Sequence, residues 1–84
     1  MSRLKIVRTS GEVILPITPV VEYAFEKYCG NGIYKQMEQF GKESDIYWLA
    51  HNALMRTEVI DPFGEAFLET LISVDVLPDE SPKK

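Results

Sequence analysis

Few residues of this chain are of the kinds that do chemistry, and their spacing does not assemble them. His51 is the single histidine and Cys29 the single cysteine. A general base needs a nucleophile and an orienting carboxylate nearby, and no pattern in the sequence supplies either. His51 therefore reads as a hydrogen-bonded or half-exposed structural residue. Cys29 falls near the end of a predicted helix, where the negative pole of the dipole disfavours a thiolate, so it reads as a small half-buried hydrophobe. Zinc takes about four ligands, usually Cys and His, and one of each does not make a site. Glu22/Glu26 and Glu65/Glu69 lie one helical turn apart and read as solvated helix faces. Gly41-Lys42 suggests a phosphate loop, but Gln36 stands where that motif needs glycine and Glu43 where it needs Ser or Thr. The expectation is a non-enzyme, with no catalytic residue, metal or cofactor.

The elements that would carry these side chains fit one small domain of 84 residues. A chain of this size buries only about 60% of its unfolded surface, so its core is marginal without a partner or self-association. A lone thiol fits a reducing compartment. The basic start, Arg3, Lys5 and Arg8, is not followed by an apolar signal region. The run Val13 to Ile17 is too short to span a bilayer. A cytoplasmic protein is expected, with no membrane association. The net charge of −4 disfavours nucleic acid as a partner. Charge is also uneven. From Thr57 to Pro82 there are seven acids and no base, against three bases and no acid in the first eight residues. These are either ordinary solvated faces or two ends that attract each other, within the chain or between subunits.

Leu4 to Leu15 predicts a hairpin, with Ser10-Gly11 in the turn. Thr18-Pro19 reads as an N-cap and first helical residue. Val21, Ala24, Phe25 and Tyr28 make a helical stripe, and Gly30-Asn31-Gly32 ends that helix. A short helix follows from about Ile33 to Phe40, with Ile33, Met37 and Phe40 on one face and Gln36 outward. Ser44 is expected to cap a central helix over residues 45–56. Asp61-Pro62 repeats the cap-then-proline signal before a last helix carrying Phe63, Ala66, Phe67, Thr70, Leu71 and Val74 on one face. The predicted fold is mainly α (α+β): an N-terminal hairpin and about four short helices over residues 1–77, then a disordered tail over residues 78–84.

The central helix is apolar almost all the way round. Asp45, Asn52 and Arg56 form one narrow polar stripe, and Ile46, Leu49, Ala50 and Ala53 one apolar face. Such a helix lies at the centre of a domain or meets a partner. Tyr47, Trp48 and Met55 widen its apolar surface. They are of the types favoured at interface cores, and they are the candidate partner-binding residues, the other reading being plain core.

The order of these signals resembles a known family. Thr18-Pro19, Phe25-Glu26-Lys27-Tyr28, Gly30-Asn31-Gly32-Ile33, the Tyr47-Trp48-Leu49-Ala50 helix ending in Arg56, and Phe63…Phe67-Leu68 before an acidic end are similar to the tail assembly chaperones of long-tailed bacteriophages and prophages. The resemblance covers about residues 4 to 77. It implies a protein that binds the aggregation-prone tape measure protein in the bacterial cytoplasm, keeps it soluble, helps recruit tail tube subunits, self-associates and is absent from the mature virion. The alternatives are a small DNA-binding regulator and an adaptor subunit of a host complex.

Overall fold

Alternation builds the first element. Leu4 and Ile6 point to one side of β1 (Arg3–Arg8) and are fully buried, while Lys5 and Val7 point to the other. A two-residue loop, Thr9-Ser10, returns the chain as β2 (Gly11–Pro16), antiparallel, with Arg8 opposite Gly11. Gly11 has φ +140°, a conformation that L side chains rarely adopt, so glycine stands where the hairpin needs it. The structure is a computed structural model describing residues 2–78.

Helix α1 (Pro19–Cys29) begins as its sequence predicts. The Thr18 hydroxyl accepts the Val21 N–H at 3.4 Å, Pro19 occupies the first turn, and Gly30 ends the helix at φ +83°. Val21 and Phe25 fill its buried side. Helix α2 (Ile33–Gln39) is short, with Ile33 and Gln36 buried. Helix α3 (Glu43–Met55) crosses the middle of the molecule, and α4 (Glu65–Thr70) follows a loop.

The last element corrects the predicted fold class. The helix expected to run through Val74 stops at Thr70, whose hydroxyl donates to the Phe67 carbonyl at 2.7 Å. Leu71–Leu77 is instead β3, and the sheet has three antiparallel strands in the order β2-β1-β3. A quarter of the described residues are strand, so the fold is a sheet with helices rather than a helical domain with a hairpin. Apolar residues at Leu71 and Val74 fit a helical stripe with Phe67, but β-branched Ile72, Val74 and Val76 fit a strand as well. The free edge of β1 decides between them. It takes Val76 opposite Leu4 and Val74 opposite Ile6, so both valines lie against the core. A register shift between Val7 and Arg8 makes Ile72 the extra residue of a bulge. Of the expected tail, residues 79–84 lie outside the described residues.

Pairing β1 with β3 also accounts for the uneven charge. Lys5 lies opposite Asp75, and Arg8 donates to Glu58 in an ion pair of 3.1 Å. The basic start and the acidic end meet within one chain.

The buried apolar residues form one cluster. Leu4 and Ile6 of the sheet, Val21 and Phe25 of α1, Ile33 of α2, Leu49, Ala50, Ala53 and Leu54 of α3, and Phe67 of α4 all belong to it. Helix α3 is the most enclosed helix: of its thirteen residues only Glu43, Ser44 and Met55 are exposed. Its start differs from expectation. Ser44 lies inside the helix, Lys42 holds the cap position, and no side chain caps it. Asp61-Pro62 likewise begins no helix, because α4 starts only after Gly64.

Candidate protein-binding surface

Helix α3 is covered on both flanks, and the candidate binding residues sit where the cover ends. On the flank facing α1 and α2, Asp45 is buried. Its Oδ2 accepts from Gln36 Nε2 at 2.9 Å, and Gln36 Oε1 accepts from Asn31 Nδ2 at 2.9 Å. Gln36 was expected to face outward; it is drawn inward because Asn31 and Asp45 satisfy both ends of its amide. Asn31 is held in turn, its carbonyl accepting from the Cys29 thiol at 3.3 Å.

One turn along the same flank, Trp48 stacks on Tyr28 with ring centroids 4.3 Å apart and planes 12° from parallel. It also lies 6.0 Å from Phe25, tilted by 60°. Phe25 is fully buried, Trp48 is half-buried, and Tyr28 is 48% exposed. The three rings thus run from core to solvent. Met55, 47% exposed, stands two turns along α3 from Trp48, and a spacing of seven returns to the same face. Trp48 and Met55 therefore share a stripe, with Tyr28 beside the tryptophan.

Tyr47 belongs elsewhere. It lies on the other flank with Leu68, Leu71 and Ile72 around a small groove of about 150 Å³. Ile72 is 64% exposed. The three candidate residues thus divide between two surfaces. Tyr28 and Phe40 are exposed apolar residues that the spacing alone assigned to helical stripes. Tyr28 and Phe40 follow the right period, but they sit at helix ends, where the cover runs out. Lys42 Nζ lies 5.8 Å from the Phe40 ring centre, a distance at which a cation is attracted to the ring face.

The residues first considered for catalysis have structural partners. His51 is buried on the second flank, in T-shaped contact with Phe67 and Phe63, whose ring centres lie 4.9 and 5.6 Å away. Its Nε2 is 2.8 Å from the Asp61 carbonyl. A carbonyl only accepts, so Nε2 carries the proton. This contact ties the loop after α3 back onto the helix. Glu22, Glu26, Glu65 and Glu69 are all exposed. Among the described residues no three His, Cys, Asp or Glu side chains converge as a metal site, and no helix is long and apolar enough to cross a membrane.

What this geometry can do is bind. An aromatic pair with one open face, a methionine two turns away, and further exposed rings at Tyr23 and Tyr34 offer apolar area without a reactive group among them. No protein-family model, no curated protein and no solved structure matches this chain.

Proposed function

We propose that this protein is a tail assembly chaperone of a long-tailed bacteriophage or prophage: a non-enzymatic binding module that holds the tape measure protein soluble in the host cytoplasm, presents it to tail tube subunits, and is left out of the finished virion. The observation that carries the reading is the open Tyr28–Trp48 pair with Met55 on the same side of α3. A client with long apolar helical stripes is covered by apolar side chains that lie along one helix. Tryptophan and tyrosine suit this because they supply large contact area with little ordering cost, and methionine because its flexible thioether adapts to irregular surfaces. The motifs that carry the family resemblance include Tyr28 and Trp48.

The DNA-binding alternative needs a cationic surface. On β1 Lys5 lies opposite Asp75 and Arg8 is held by Glu58, which weighs against it.

The test is co-expression with the tape measure protein encoded alongside this gene, followed by size-exclusion chromatography with light scattering. Co-elution of soluble tape measure with several copies of this chain is expected, and Trp48→Ala should reduce it. An insoluble tape measure with this chain eluting alone would overturn the proposal.

A further inference from the structure

Strand β3 ends the sheet, and its outer edge has no strand partner among the described residues. Open edges are usually protected by proline, lysine or a bulge. The opposite edge, β2, ends in Pro16 and carries Glu12. Strand β3 has neither proline nor lysine, its one charge is Asp75, and its bulge lies at its beginning, which leaves Ser73–Leu77 in regular register with β1.

The order of side chains along β3 is close to palindromic about Val74: Leu71-Ile72-Ser73-Val74-Asp75-Val76-Leu77. We propose that two copies of this chain pair antiparallel through β3, about a two-fold axis at Val74, to form one continuous six-stranded sheet. It deepens the self-association element of the chaperone reading but is tested on the chain alone.

The register follows from chemistry. With Val74 on the axis, Val74 faces its own copy, Ser73 faces Asp75, and Ile72, at the bulge, comes beside Val76. Apolar meets apolar, and each serine hydroxyl donates to a carboxylate. Centring on Asp75 would set two carboxylates face to face. Centring on Ser73 would bring the bulge at Ile72 next to the axis, opposite Val74, and break the ladder there. A shift of one residue would set Val74 against Asp75 and turn the apolar set to the wrong side. Asp75 does not repel the second copy in the favoured register, because Lys5 stands opposite it in its own sheet. Ile72, exposed beside Tyr47, Leu68 and Leu71, then gains an apolar neighbour in Val76 of the second copy.

Sedimentation of the full chain over a concentration series tests this, with three sequences compared. Wild type should dimerise. Ser73→Asp puts a carboxylate opposite each Asp75 and should weaken the dimer by about tenfold or more. Ser73→Lys puts an ammonium there and should hold it at least as tightly as wild type. Both variants lose the serine, so a merely structural role would weaken both alike. Should Ser73→Asp fail to fold, hydrogen exchange of wild type decides: the amides of residues 72–77 should become protected as concentration rises. A monomer at every concentration, equal dimerisation in all three sequences, or exchange at β3 indifferent to concentration overturns the proposal. None of these outcomes bears on tape measure binding, which the co-expression test reads separately.

Discussion

The two flanks of α3 are sealed by different chemistry. Toward α1 and α2 the seal is a polar ladder, Asn31–Gln36–Asp45, with the Trp48–Tyr28 stack beside it. Toward residues 57–70 the seal is aromatic: Phe63 and Phe67 lie nearly perpendicular to the His51 ring, and one hydrogen bond ties His51 to the Asp61 carbonyl. The difference teaches which flank holds the molecule together and which selects one arrangement of it. Burying Phe67 removes a large apolar area from water and stabilises in proportion. The ladder gains little over the same groups in water, but any member left without its partner is costly. The aromatic flank is therefore a source of stability, and the polar flank a condition on how α2 and α3 dock.

That contrast can be broken by substitution. Phe67→Ala should cost the most, about 3–5 kcal/mol in urea denaturation, because it opens a cavity in the common core. Gln36→Leu should come next, at about 2–3 kcal/mol, since it strips the buried Asp45 carboxylate of its donor. Combining it with Asp45→Leu should cost less than the two singles together, with a coupling of about 1–2 kcal/mol; strict additivity would mean the ladder is not a unit. Tyr28→Ala should cost about 1 kcal/mol through loss of the stack. It should also shift the emission of Trp48, the single tryptophan, to the red as its ring is uncovered. The smallest effect is expected for Glu58→Gln. The Glu58 carboxylate is half-exposed, although Arg8 is largely buried, so the pair is worth about 0.5–1 kcal/mol, and less in salt. A larger loss there would mean that Arg8 depends on that partner more than its geometry indicates.

Much of the first half of the fold is legible in the sequence because its signals are local. Alternation of Leu4 and Ile6, a glycine at the hairpin turn, Thr18 before Pro19, and Gly30 after Cys29 each act on the backbone within a few residues. The second half misleads for the same reason. Ser44 and Asp61 look like caps, yet the nearby helices begin elsewhere, and neither side chain caps them. Gln36 looks solvated until Asn31 and Asp45 are brought to its two ends. Of the candidate surface, Trp48 and Met55 lie seven residues apart on α3, a spacing that returns to one face. Tyr28 joins them only through α1 packing on α3, and Tyr47 leaves them for the groove beside Ile72.

By itself the sequence determined the hairpin, the start and stop of α1 and the central burial of α3, because each rests on residue type and short-range period. Tertiary structure alone decided the fate of Leu71–Leu77. Seven apolar-rich residues satisfy a helical stripe and a strand about equally, and only the unpaired edge of β1, with Lys5 waiting opposite Asp75, makes the strand the lower state. The same pairing decided that the charged ends meet within one chain, and it left the edge through which a second copy is inferred to join.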